Sequence, residues 1–148
     1  MRESDFIKND IINFTPSEVR KTGADLSDVD KRTIISIQKF REYIRRRVKL
    51  CHNGLTTGGH KAPEHDLGLA IDSYLVMADG PINIHLIFKG ALVAGFRGIA
   101  IYWNGSCYSF HFDLRPVYAF WIGVKDEKKG ITDWVWYPLL NDPAKIRL

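Results

Sequence analysis

Long apolar runs are missing from this chain. No stretch of its 148 residues approaches the roughly 18 that a spanning helix needs, so no membrane insertion is expected. The opening Met1-Arg2-Glu3-Ser4-Asp5 is too charged for the apolar region of a signal peptide, which points to synthesis in the cytoplasm. Cysteine is scarce: Cys51 and Cys107 lie too far apart for a Cys-x-x-Cys metal knuckle, and a reducing compartment argues against a disulfide, so both read as buried packing residues. A strong excess of one charge is also absent. Twenty-one basic against seventeen acidic residues leave +4, short of a dedicated nucleic-acid binder, and Arg45-Arg46-Arg47 at a helix end is explained by the helix dipole and exposed carbonyls; no nucleic-acid partner is expected. Repeats, low-complexity tracts and linker composition are lacking too. With 45% hydrophobic and 26% charged residues, the composition predicts one globular domain over 1–148, expected to be a monomer.

What is present is ordered helix first, strand later. Thr15-Pro16-Ser17-Glu18 reads as a capping box with proline at the first helical position, opening a short helix that fades by Gly23. Ser27 or Asp28 then caps a longer helix, in which Val29, Ile34, Ile37, Phe40, Ile44 and Val48 recur at helical spacing. Leu50 to Pro63, with Gly54, Gly58, Gly59, His52 and His60, has no apolar period and reads as a loop long enough to suspect function. Leu69 to Met77 reads as a central strand, and Ile82 to Ala94 as a second buried helix with Asp79 or Gly80 near its N-cap and Gly95 as its stop. The period then changes to two. Gly98 to Trp103 and Ser106 to Leu114, joined by Asn104-Gly105, predict a hairpin with a type I′ turn. Tyr118 to Val124 and Asp133 to Tyr137 predict two further strands about a charged turn from Asp126 to Gly130. The fold class expected is α+β, with N-terminal helices packed on a mainly antiparallel sheet.

Two segments carry chemistry: His65-x-x-Gly68-x-Ala70-x-Asp72, and His111-x-Asp113-x-Arg115-Pro116. A catalytic zinc takes three protein ligands of imidazole nitrogen and carboxylate oxygen type and keeps one position open, and two histidines with an aspartate supply such a set. Residues seven apart on a helix lie about 10.5 Å apart along the axis, too far for one ion. On one regular strand an odd separation sends them to opposite faces. His65 must therefore sit on the loop leading into the strand that holds Asp72, with Gly68 allowing the bend and Ala70 keeping the adjacent side small. His111 and Asp113 share one face of the second hairpin arm, while Tyr108, Phe110 and Phe112 share the other. His85, on the second helix, reads as structural.

These boxes, with Phe14-Thr15-Pro16-Ser17-Glu18 before them and Gly95-Phe96-Arg97-Gly98-Ile99-Ala100-Ile101-Tyr102 between them, resemble the zinc D-alanyl-D-alanine carboxypeptidases and endolysin peptidases, which share the hedgehog/DD-peptidase fold. The resemblance covers roughly residues 14 to 116. It implies that His65, Asp72 and His111 ligate Zn2+. The chain departs from the family at Pro63, where relatives usually carry serine, and at Leu69, where they often carry arginine. Tyr108 stands where many place the general-base carboxylate, and the arginine-bearing loop is replaced by His52 to His60.

The function implied is hydrolysis of a peptide bond in peptidoglycan stem peptides, by a carboxypeptidase or an endolysin-type endopeptidase that reaches the wall by a phage-lysis route. Asp113 is either the base or the group that orients a ligating imidazole, the second being favoured. In that case Glu64 or Asp66 accepts the proton. Arg97 or Arg115 is suited to hold a substrate carboxylate, although each is equally suited to an internal acid, and His60 is a candidate substrate contact. The alternative is a catalytically inactive, zinc-stabilised binding or virion-structural domain.

Overall fold

The computed structural model describes residues 1–56, 62–125 and 134–139. Four helices, α1 (Ser4–Lys8), α2 (Pro16–Lys21), α3 (Lys31–Ile44) and α4 (Ile84–Val93), accompany six strands, β1 (Val48–Leu50), β2 (Ala70–Leu75), β3 (Gly98–Trp103), β4 (Tyr108–Asp113), β5 (Ala119–Lys125) and β6 (Trp134–Leu139). The strands form one mixed sheet in the order β1-β2-β4-β3-β5-β6. Every neighbouring pair is antiparallel except β3 and β5, which run parallel. The protein is thus α+β. None of the described helices is long and apolar enough to cross a membrane.

The capping box forms as its residues require: the Thr15 hydroxyl accepts from the Glu18 N–H at 3.2 Å, and the Thr15 N–H donates to the Glu18 carboxylate at 2.8 Å. Other boundaries differ from the sequence reading. Asp25 caps a single 3-10 turn over Leu26–Asp28, and Asp30, rather than Ser27 or Asp28, caps α3. Helix α3 stops at Ile44 because Arg45 turns left-handed (φ 52°), which releases Val48 from the helical stripe to begin β1. The neighbouring Arg47 is tied to Asp79, Nη2 to Oδ1 at 2.6 Å, across the β1–β2 pairing. Asp79 is spent in that ion pair, and Asn83 caps α4 instead. Between β3 and β4, register pairs Trp103 with Tyr108, so the connection is four residues, not a two-residue type I′ turn. The Asn104 side chain accounts for this, accepting from the N–H groups of Ser106 and Cys107 at 2.9 and 2.8 Å. Cys51 and Cys107 are half-buried free thiols rather than fully buried packing residues. The charged turn expected at 126–130 lies outside the described residues.

Alternation along the strands divides the sheet into two unlike faces. Ile71, Leu75, Ile99, Ile101, Phe110, Phe112 and Phe120 are buried, and rings from the helical layer meet this face edge-on. Phe40 of α3 lies 5.6 Å from Phe110 and 5.0 Å from Phe112, and Phe88 of α4 lies 4.9 Å from Phe120. Ile34, Ile37, Phe40 and Ile44 thus form the packed stripe of α3. Emptying one such aromatic position costs about 3–5 kcal/mol. The other face carries Asp72, Ala100, Tyr102, His111, Asp113 and Trp121, and the functional candidates lie there.

Candidate metal centre

Cross-strand register sets Asp72 of β2 directly opposite His111 of β4, so imidazole and carboxylate leave the same face side by side. His65 arrives from outside the sheet. It sits in a run of tight turns before β2, in which the His65 carbonyl accepts from Gly68 N–H at 2.9 Å and the Glu64 carbonyl from Leu69 N–H at 2.8 Å. Gly68 has φ +69°, and a Cβ there would stand 2.2 Å from the Asp28 carbonyl oxygen; only glycine lets the turn lie against the entry to α3. Its carbonyl is held by the Thr33 hydroxyl at 2.7 Å and the Asp30 N–H at 3.2 Å.

Three donor atoms converge. His65 Nε2 lies 3.1 Å from His111 Nδ1 and 3.5 Å from Asp72 Oδ1, which is 3.0 Å from His111 Nδ1. The remaining nitrogen of each ring is committed elsewhere. His65 Nδ1 donates to the Leu55 carbonyl, and His111 Nε2 donates to Asp113 Oδ2 at 3.0 Å. A carbonyl and an ionised carboxylate can only accept, so those nitrogens carry the protons and the other two face the cluster. Two imidazole lone pairs and a carboxylate oxygen turned on one point repel unless a cation stands between them. The His65–Asp72–His111 group can therefore hold a metal ion. Fixing an imidazole through its outer nitrogen is how ligating histidines are oriented.

Without a metal, a proton on His111 Nδ1 serves instead. Burial opposes charging His111, but its bonds to Asp113 and Asp72 outweigh burial and raise its pKa to about 9. Burial likewise opposes ionising Asp72, and its bonds from His111 and His65 prevail, holding it at about 2. Since the folded value of His111 exceeds its ordinary 6.5, the stabilisation from the imidazolium is complete below pH 6.5 and lost as pH rises through about 9. In a proton NMR titration of metal-free protein, His111 should titrate near 9, and metal uptake should strengthen with pH up to that point. A midpoint near 6.5 would contradict the pairing of His111 with Asp72 and Asp113.

Asp113 is fully buried and accepts four N–H groups: His111 Nε2, and Arg115 through its backbone, Nε and Nη2. A Cβ on Gly98 would fall 2.2 Å from the Asp113 carboxylate oxygens, so the glycine on β3 makes the room this group occupies. The burial of Asp113 opposes its charge, yet the bonds from Arg115 and His111 keep its carboxyl well below the usual range. Arg115 also approaches Glu64 Oε2 at 3.6 Å and lies over the Trp121 ring at 4.9 Å. That Glu64 oxygen is buried with no hydrogen-bond partner.

Of the residues singled out in the sequence, the structure brings together His65, Asp72, His111, Asp113, Arg115 and Glu64. Arg97 is not among them; it lines a cavity with α3, and its Nη1 donates to the Pro116 carbonyl at 2.8 Å. His60 lies outside the described residues. His52 and His85 are exposed and belong to other elements, and Asp66 is exposed. Sequence reasoning missed two supports, the Leu55 carbonyl and Gly98. Gly98 stood in the Gly-Phe-x-Gly segment, whereas nothing in the sequence marks a carbonyl. No family model, curated protein or solved structure matches the chain.

Proposed function

We propose that this chain is a zinc peptidase of the D-alanyl-D-alanine carboxypeptidase and endolysin type, with a hedgehog/DD-peptidase-like fold, acting on peptidoglycan stem peptides. The observation that carries the reading is the convergence of His65 Nε2, Asp72 Oδ1 and His111 Nδ1, with both outer ring nitrogens anchored. Two ligands about 2.0–2.1 Å from one ion at the tetrahedral angle stand about 3.4 Å apart. The separations here, 3.0 to 3.5 Å, match that spacing. Two nitrogens and one oxygen are a catalytic rather than a structural zinc set, because one position stays open. Zinc bound there would polarise a scissile carbonyl and make water acidic enough to attack near neutral pH.

The chain's own residues divide the remaining work. Asp113 has both oxygens occupied by N–H donors, so its role is to hold the His111 ring rather than to take a proton. Glu64, next to His65 and with an oxygen that accepts no hydrogen bond, is the proton acceptor, steadied by the Arg115 guanidinium 3.6 Å away. One observation favours the second reading, a zinc-stabilised binding or virion-structural domain without catalysis: Tyr108 stands where many of the peptidases it resembles carry the general-base carboxylate, and its ring lies against Trp103, 4.7 Å between centroids.

Digestion of purified peptidoglycan, followed by mass spectrometry with zinc and with a chelator, separates the two. Loss of terminal D-alanine marks a carboxypeptidase, and scission after L-alanine an endolysin-type endopeptidase. No cleavage over about pH 6 to 9, where an activated water should titrate, with zinc occupancy verified, would leave the binding domain.

A further inference from the structure

Beyond the metal centre, a cavity of about 450 Å³ opens where α3 meets the end of the sheet. Arg32, Ile35 and Lys39 reach it from one face of α3, Arg97 from the turn into β3, and Leu114 and Arg115 from the chain leaving β4. Four of its lining residues are cations and none is an acid. Two of the four are already neutralised: Arg32 Nη2 by Asp30 Oδ2 at 2.7 Å, and Arg115 by Asp113. Lys39 and Arg97 have no carboxylate partner among the described residues. Arg97 is nonetheless fixed in place, by the Pro116 carbonyl and by the Tyr118 ring 5.6 Å from its guanidinium carbon.

Like charges gathered in a cleft with apolar walls repel one another and focus a positive field, a cost that a bound anion removes. A guanidinium fixed at one end presents its remaining N–H groups as a fork for two oxygens, and a lysine beside it adds a movable charge. Ile35 and Leu114 supply apolar wall against which a carbon skeleton can lie. We propose that this cavity is a binding site for a small organic oxyanion, a carboxylate or a phosphate, gripped by Arg97 and Lys39. Arg115 connects it to the metal centre, since the same residue lines the cavity and binds, through its guanidinium, the carboxylate that holds His111. The site does not depend on the peptidase reading.

The test is calorimetric titration of the full chain with inorganic phosphate and, separately, with succinate, at constant ionic strength set by chloride. Phenanthroline, an uncharged chelator, keeps metal from contributing. Saturable binding of at least one anion at one per chain is expected, and which one saturates assigns the oxyanion. Lys39→Ala should weaken binding severalfold, and adding Arg97→Ala should bring the loss to at least about tenfold, as expected for charged hydrogen bonds. Lys89→Ala, an exposed cation on α4, should change nothing. Lys39 is exposed on its helix, so that single variant tests the site even if the double variant is unstable. Failure of both anions to saturate by about 20 mM, above the range expected of a two-cation grip, would overturn the site. So would binding that Lys39→Ala leaves unchanged.

Discussion

A His65→Ala, His111→Ala double variant is expected to lose stoichiometric zinc and to show no rise in melting temperature when zinc is added. Both imidazoles are needed because Asp72 is the one ligand of the three that remains, and a single carboxylate competes poorly with water for zinc. In the wild type, an ion bound by the folded state alone stabilises it by about 2.7 kcal/mol when free zinc stands at a hundred times the dissociation constant. The unfolded chain scatters the three ligands across 47 positions, 65 to 111, so nearly all of that gain belongs to the native state. Replacing a side chain that is 1% exposed also leaves a void at His65, which lowers stability with or without metal. The informative quantity is therefore the zinc-dependent shift within each protein. A shift in the double variant equal to that of wild type would place the ion elsewhere.

Asp113→Asn should weaken zinc affinity, and any activity that depends on it, by roughly 10- to 100-fold. Asparagine keeps the size of the side chain but not its chemistry. Both Asp113 oxygens accept, Oδ1 from the Arg115 backbone and Nε, Oδ2 from His111 Nε2 and Arg115 Nη2. Whichever way the amide turns, its NH2 meets donors. If it faces His111, the ring loses its anchor and its outer nitrogen no longer fixes the tautomer. If it takes the Oδ1 place, the Arg115 backbone N–H and Nε lose their acceptor, and in either orientation the guanidinium keeps Glu64 as its carboxylate partner among the described residues. Asp113→Ala should be harsher for folding, since breaking a buried pair costs about 3–5 kcal/mol. Zinc affinity by competition with a chromogenic chelator, set beside urea unfolding of each metal-free variant, separates the loss at the centre from the loss of fold. Zinc affinity unchanged in Asp113→Asn would remove Asp113 from the support of His111.

Much of this arrangement is legible in the residues themselves. The odd spacing from His65 to Asp72 demands a loop-to-strand bend, and a glycine at Gly68 supplies it; the even spacing from His111 to Asp113 puts both on one face, where they meet at 3.0 Å. The helical stripe of α3 and the two-residue period of the hairpin are local signals, and local signals survive folding. What escaped was set by tertiary partners. Val48 fits the helical period of α3, but the Arg47–Asp79 pair and the pairing with Leu75 draw it into β1. Asn104-Gly105 favours a tight turn, yet the Asn104 side chain binds two N–H groups and widens the connection. The parallel pairing of β3 with β5 has no sequence signature, because it depends on where the chain returns after Pro116. Arg97 and Arg115 look equivalent in sequence, and only the fold ties Arg115 to Asp113 while leaving Arg97, on the same α3 cavity, with the Pro116 carbonyl.

The most direct test of the centre is a crystal of zinc-loaded protein measured at the zinc absorption edge. One anomalous peak is predicted, bonded to His65 through Nε2, to His111 through Nδ1 and to the Asp72 carboxylate, with His111 Nε2 still on Asp113. A peak bound through His111 Nε2, a peak remote from these three side chains, or no peak from fully zinc-equilibrated crystals would contradict it.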